Sequence, residues 1–322
     1  MPVRGPTKSQ IRIDQYLSNL SSLVIQNQSV FIAPKVFSIV PVDKQSDLYP
    51  VYNEDDWNTD EALERKDSTE SAGSAYSLSD DNYLCKVFGF HKDIGDQLVD
   101  NAQSSQFNLQ KEAMEFVTRK LLIKQEREFV SKYLAASVWG DDLAGVTDFD
   151  QFNEATSSPI KVIKDEIGNQ ILRTGIPPNS LVLGYNVFAN LSEHPDFVDR
   201  VKYSSSDAVT EQIMAKLFGV DRVLVAKSIV ATGKGATKTN SFNFGNNMLL
   251  LFANPTPGLL TPSAGYTFSW KFAPFISGMG ATIRKWYIDE KETTRIDGKV
   301  AFDMKIIAKD LGTLFTEAVA TS

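Results

Sequence analysis

The chain has 322 residues, 42% hydrophobic and 23% charged, which is ample material for one large domain or two to three smaller ones. Its 33 Lys and Arg against 40 Asp and Glu give a formal net charge of −7, which argues against a sequence-reading nucleic-acid binder with its basic stripe. A single cysteine, Cys85, makes no internal disulfide, and with only His91 and His194 besides there is no Cys/His cluster for zinc.

Residues 1–30 are polar, punctuated by Pro2, Gly5 and Pro6, and carry one short amphipathic piece from Ile11 to Leu20. Such a segment has little to bury alone and needs neighbours to order it. The first residues lack the apolar core of a signal peptide, and no apolar run approaches the ~18 residues that span a bilayer. A reducing cytoplasm is the expected setting. Residues 30–33 and 36–40 read as buried extended or short helical pieces, each stopped by a proline, Pro34 and Pro41.

From about residue 44 to 79 the composition shifts. A strand over 49–52 leads into an acidic, Ser-rich run over 53–74, and a second strand is expected over 83–90. A polar excursion that long is either a surface loop or, as expected here, an arm that reaches a neighbouring subunit. A short helix is expected over 92–101.

Residues 107–134 form the most regular stretch in the chain. Leu109, Phe116, Ile123 and Val130 recur every seven residues, with Ala113 and Leu134 on the same face. Phe107, Met114 and Leu121 make a second stripe roughly 150° round the helix. No Gly or Pro interrupts the run, so one helix of about 40 Å is expected, clamped between a sheet and a second layer.

Beyond it, helix and strand alternate over 157–261, with helices at 160–174, 185–192 and 207–217 and strands at 181–184, 221–226 and 247–252. Residues 233–241 read as a loop. In the C-terminal stretch Tyr266, Phe268, Trp270 and Phe272 alternate with polar residues, and two long strands over 281–295 and 299–308 are expected to meet in a hairpin at Asp297-Gly298. Val300, Phe302, Met304 and Ile306 share one strand face, suited to covering the long helix.

Motifs of chemistry are absent. The run Gly233 to Thr239 departs from a phosphate-binding loop, because Lys238 stands where its second glycine belongs. Asp141, Asp142, Asp148 and Asp150 lack the spacing and glycine of a calcium loop and read as a solvated turn. No G-x-S-x-G turn is present. His194 reads as a polar side chain before a helix. No catalytic, cofactor-binding or metal residue is assigned, and no enzyme is expected.

Several runs in succession resemble the major capsid proteins of tailed bacteriophages, with the HK97-like fold. They are Phe31-Ile32-Ala33-Pro34-Lys35-Val36-Phe37 continuing to Tyr49, then Tyr83-Leu84-Cys85-Lys86-Val87 leading to Asp93-Ile94-Gly95-Asp96. His194-Pro195-Asp196-Phe197-Val198-Asp199-Arg200-Val201-Lys202-Tyr203, Phe218-Gly219-Val220-Asp221-Arg222-Val223-Leu224-Val225 and Ser263-Ala264-Gly265-Tyr266-Thr267-Phe268 follow. Together they cover residues 30–310. The resemblance implies an α+β fold with an N-terminal arm (1–43), an extended loop (44–90), a peripheral domain (91–156) around the spine helix 107–134, an inserted axial domain (157–261) and C-terminal peripheral strands (262–322). It also implies self-assembly through pentamers and hexamers into an icosahedral shell around double-stranded DNA, held by non-specific contact. Expected partners are a portal and a separate scaffolding or decoration protein, with no membrane. The expected location is the virion, and the host cytoplasm during assembly. Some relatives crosslink subunits through a lysine; Lys44 and Lys66 lie in or near the loop, but neither matches that chemistry. A nanocompartment shell subunit of the encapsulin type is the alternative, and a soluble enzyme or binding module the alternative of another class.

Overall fold

A computed structural model describes residues 30–52, 59–75, 77–102, 109–201, 210–233, 237–258, 261–274 and 282–320. The amphipathic piece at Ile11 to Leu20 and the first two residues of the expected spine helix lie outside them. The chain enters through a four-residue helix, α1 (Ala33–Val36), and an edge strand, β1 (Ile39–Val42). The two expected proline stops fall elsewhere. Pro34 sits in the first turn of α1, where no N–H is needed, and Pro41 lies within an edge strand, which tolerates a missing donor.

Next comes a two-stranded ribbon, β2 (Ser46–Tyr52) with β3 (Leu78–Leu84), and then β4 (Lys86–Gly95). The single strand expected over 83–90 is therefore two strands divided at Cys85. The first closes the loop, and the second leaves it to pair with the C-terminal part of the chain. Because β4 runs on to Gly95, the helix expected over 92–101 begins only at Asp96, as α2 (Asp96–Ala102).

The spine is α3 (Leu109–Tyr133), 25 residues and about 37 Å long. Its buried positions are Ala113, Val117, Thr118, Leu121, Leu122, Gln125, Glu126, Phe129 and Tyr133, an arc covering about half its circumference. One side of the arc meets the first sheet and the other meets α1 and the inserted unit. The helix is clamped on two sides as expected, but only partly by the expected residues: Ala113 and Leu121 are buried. Phe116 and Met114 are both 41% exposed, and Leu109, Ile123 and Val130 are only half-buried. Three polar side chains sit in the true core face, so counting apolar residues alone found only part of it.

After α3 come β5 (Asp141–Ala144), α4 (Pro159–Thr174), β6 (Ser180–Gly184), α5 (Tyr185–Glu193), α6 (Pro195–Val201), α7 (Glu211–Phe218) and β7 (Arg222–Ala226). A small hairpin, β8 (Ile229–Thr232) with β9 (Thr239–Phe242), precedes β10 (Met248–Leu251). The C-terminal strands are β11 (Gly265–Trp270), β12 (Thr282–Ile288), β13 (Thr293–Ile306) and β14 (Gly312–Thr316).

The first sheet has the order β1-β11-β13-β12, with β4 on the free side of β13. The hairpin expected at Asp297-Gly298 is not there. The chain turns instead at Asp289–Lys291, a short 3-10 turn, with Glu292 left-handed at φ 46°. β13 then runs straight through Asp297 and Gly298. The glycine answers a close approach: a Cβ there would lie 2.5 Å from Val117 Cγ1 and 3.0 Å from Leu121 Cδ1 of the spine. Gly298→Val should therefore cost about 1–3 kcal/mol by overpacking. Urea denaturation would show it as a lower midpoint with an unchanged slope. Met304, Phe302 and Val300 do cover the spine as expected.

The second sheet runs β5-β14-β10-β6-β7. Thus Asp141 and Asp142 belong to an edge strand rather than a solvated turn, and Asp148 Oδ2 accepts the Ala144 N–H at 2.8 Å. The last strand also crosses over: β14 lies in the inserted unit's sheet, so a division at residue 262 cuts through that sheet. It is fastened by Thr313 Oγ1, which donates to Glu166 Oε1 at 2.7 Å, and by Gln170 Nε2, which donates to the Leu311 carbonyl at 3.2 Å. The inserted unit has its own core, with Ile163, Leu183, Phe197, Met214 and Phe315 at its centre.

Candidate assembly surfaces

The extended loop stands on a packed foot. Tyr83 stacks on Phe268 with ring centres 4.7 Å apart, and Tyr49 lies 5.3 Å from the same ring. The Leu84 N–H donates to Asp303 Oδ2 at 3.0 Å, and Tyr49 donates to Asp81 Oδ2 at 2.6 Å. Burial, and then the hydrogen bond to Asp81, hold the Tyr49 phenol well above its usual range. Above this foot the ribbon pairs over seven positions, from Ser46 with Leu84 to Tyr52 with Leu78. Residues 59–75 then form an exposed tip with no helix or strand. The tip carries Asp60, Glu61, Glu64, Asp67 and Glu70 against Arg65 and Lys66, and its Leu63 is 77% exposed.

A second surface has the opposite character. Between β4 and the spine, the Lys92 and Lys120 ammonium groups lie 5.2 and 5.4 Å from the centre of the Phe116 ring, and Lys124 lies 4.7 Å from that of Phe88. Phe90 meets Phe116 edge-on at 5.8 Å. Phe88 also borders a cavity of about 220 Å³ lined by Lys86, Glu128, Lys132, Phe302 and Asp303 among others, and Glu128 pairs with Lys124. Lys132 pairs with Asp303 at 3.2 Å, and the same carboxylate holds the foot of the loop.

A separate junction around α1 ties the spine to the inserted unit. The Glu126 carboxylate, fully buried on the spine, accepts the Ala33 N–H at 2.9 Å, the Ile32 N–H at 3.1 Å and the Ser228 hydroxyl at 2.9 Å. At the other end of α1, Arg222 of β7 donates to the carbonyls of Lys35 and Val36, each at 2.8 Å, and to Ser180 Oγ at 2.8 Å. A carboxylate at the N-terminus and a guanidinium at the C-terminus both match the helix dipole. The arm's first described turn is thereby fixed to the spine and to the inserted unit together.

The residues singled out in the sequence have local structural roles. Cys85 is fully buried, and desolvation, then the Asp303 charge, push its thiol up to about 11. His194 is buried; its Nδ1 accepts the Asp196 N–H at 3.1 Å, which leaves Nε2 to donate to the Glu154 carbonyl at 3.1 Å. His91 is exposed on β4. Lys44 is exposed and pairs with Asp47 at 2.9 Å, and Lys66 is exposed on the tip. Gly233 turns at φ 82° at the end of β8, with residues 234–236 outside the described ones. Among the described residues no group of three or more His, Cys, Asp or Glu is placed to hold a metal, and no helix is long and apolar enough to cross a membrane. Glu126 and Arg222 escaped the sequence reading, since each looks like an ordinary charged residue in its element.

No protein-family model matches the chain. It is 25% identical over 285 residues to the major capsid protein of Burkholderia phage BcepMu, covering 83% of this chain and 87% of that one. The chain is thus similar in sequence to a phage major capsid protein. Its fold agrees with that relationship. A phage-related protein from Bordetella bronchiseptica RB50 superimposes with a TM-score of 0.70 at 19% identity, covering 96% of this chain and 99% of the other. The capsid of cyanophage P-SCSP1u gives 0.59 at 11% identity over 89% and 87% of the two chains. The holo-SrpI encapsulin of Synechococcus elongatus PCC 7942 gives 0.51 at 10% identity over 96% and 98%. The architecture is thus the HK97-like capsid fold, shared by phage shells and an encapsulin.

Proposed function

We propose that this chain is the major capsid protein of a tailed phage, and that the loop of one copy lies along the β4–spine groove of the next. The observation that carries the contact is complementarity. One subunit bears both an acidic tip with an exposed leucine and a groove of lysines over phenylalanine rings. Two different matching patches on one subunit make heterologous contacts, which close into rings. On this reading the inserted unit, about 157–261, forms the axial centre of pentamers and hexamers, and the spine with the first sheet forms their periphery. Portal, scaffolding or decoration proteins and packaged double-stranded DNA are the partners, the last by non-specific contact. The subunit acts structurally rather than as an enzyme, in the virion after assembly in the host cytoplasm.

Deleting residues 55–74 tests the contact, because it spares the paired strands and the foot. The expected outcome is a folded subunit whose melting temperature matches the wild type but which forms no closed shells in negative-stain electron microscopy. Normal shells from the deletion would remove the role given to the loop. The encapsulin likeness keeps a cargo-enclosing compartment as the second reading, which shells loaded with a protein instead of a genome would favour.

A further inference from the structure

Two positions in the inserted unit carry a cost that nothing within the subunit offsets. The first is Val146, just after β5. Its φ of 72° is left-handed, a conformation that a β-branched residue resists and that glycine or asparagine adopts readily. The turn that holds it is well fastened. The Gly145 N–H donates to the Thr316 carbonyl at 2.9 Å, the Val146 N–H to the Phe149 carbonyl at 2.8 Å, and the Asp148 N–H to the Ala144 carbonyl at 2.9 Å. Yet the Val146 side chain is 77% exposed, so packing within the subunit returns little. The second is Gly168, in the middle of α4, where alanine or glutamine would make a better helix. A Cβ there would meet nothing within 4 Å, so no close approach inside the subunit calls for glycine. Local strain that the subunit itself does not use points to a contact outside it.

The two positions complement each other in shape and charge. Ile163, Glu166, Gln170 and Thr174 form the buried side of α4, which turns Lys161, Asp165, Gly168 and Leu172 outward. Gly168 is thus a notch on the outward face, one turn before Leu172, which is 88% exposed. Val146 is a projecting apolar knob. Exposed Asp148 and Asp150 flank it, and no Lys or Arg occurs from Asp141 to Ile160. Beside the notch, Lys161 and Lys164 are exposed against the single acid Asp165. We propose that Val146 of one copy seats over Gly168 of the next copy around the ring axis, against Leu172, with Asp148 and Asp150 toward the two lysines. The contact presupposes the axial role of the inserted unit and gives that role a surface. Knob and notch are different patches, so the contact is heterologous and repeats from copy to copy until the ring closes.

Val146→Asn and Gly168→Gln test this in the full chain, because each new residue suits its local backbone better than the native one. The unassembled Gly168→Gln subunit should melt about 1–3 °C above the wild type, and Val146→Asn no lower than the wild type. The yield of closed shells should nevertheless fall at least about tenfold in both. A subunit that is no less stable but assembles worse marks an interface, since a purely local role would move stability and assembly together. Cysteine pairing gives a second reading. A side chain seated over glycine brings the two Cα atoms within disulfide reach, and Cys85 is buried. Shells of Val146→Cys with Gly168→Cys should therefore show, on a non-reducing gel, a ladder of linked chains that ends at the pentamer and hexamer. Shells in which this pair does not crosslink, or single variants that assemble like the wild type, would overturn the contact and leave the shell reading intact. Disulfides confined to single chains or to dimers would also overturn it. A wild-type chain that forms no oligomer would overturn both.

Discussion

Replacing Phe129 by Ala should lower the stability of the subunit by about 3–5 kcal/mol, the range for emptying a fully buried aromatic site. Phe129 has no exposed surface and stands where three parts of the chain meet. Its ring lies 4.8 Å from Tyr133 on the same helix, 6.2 Å from Phe37 just after α1, and 6.5 Å from Phe244 in the inserted unit. Phe37 in turn lies 4.8 Å from Tyr133 and 6.5 Å from Trp139. A hole at Phe129 would strip contacts from all three parts at once, and neighbours tied to different elements cannot collapse into it together. Phe129→Leu, which keeps most of the volume, should cost less than half as much. Guanidinium denaturation of the unassembled subunit measures both. A cost below 1 kcal/mol for Phe129→Ala would mean that the junction is not a shared core. Phe116→Ala, on the outward side of the same helix, should by contrast fall near the surface range of about 0.5 kcal/mol.

This contrast shows what a single sequence can reveal about the spine. Its length, and the fact that it is sandwiched, were legible because helix formers run unbroken from Leu109 to Tyr133. Its inward face was legible only at Ala113 and Leu121. That face includes Thr118, Gln125 and Glu126, while Phe116 and Met114 point out. A polar residue becomes a core residue when a distant partner satisfies it, and the partners of Glu126 are 94 and 102 positions away in sequence. Asp297-Gly298 failed for a related reason. The dipeptide suits a tight turn, but the same glycine also admits a helix at close range, and only the packing of Val117 and Leu121 distinguishes the two. Short continuous apolar runs did find β6 and β10, which are buried along their whole length, whereas β9 (Thr239–Phe242), polar and mostly exposed, falls largely within the stretch expected as a loop. The two candidate surfaces were half-legible. The acidic tip is contiguous in sequence, whereas the lysine–phenylalanine groove draws alternate residues of β4 and every fourth residue of the spine into one place.

The second large effect is expected at Glu126. Glu126→Ala should cost about 3 kcal/mol or more, because it leaves the buried amides of Ile32 and Ala33 without an acceptor and the Ser228 hydroxyl without its partner. Glu126→Gln tests a different property. Its carbonyl oxygen can still take the two amide hydrogens, and its NH₂ can donate to the Ser228 oxygen, so most of the stability should remain. What it lacks is a titration. Desolvation raises the Glu126 carboxyl above its usual value, against the opposing pull of the Ala33 and Ile32 amides, Ser228 and the Lys35 charge. The folded state therefore holds this proton to higher pH than the unfolded chain does. The stability the proton confers is complete below the ordinary glutamate value of about 4.3 and disappears as pH rises through the higher folded value. The wild type should gain stability relative to Glu126→Gln as the pH is lowered across that window. Urea midpoints for both proteins between pH 4 and 8 measure the difference. A difference that stays flat, or that grows toward neutral pH, would mean that the carboxylate is held ionised by its donors rather than neutralised by burial. If the trend has the expected sign, the joint between arm, spine and inserted unit is tightest in acid and loosens toward neutral pH, and Arg222 at the opposite end of α1 then carries the larger share of the anchoring.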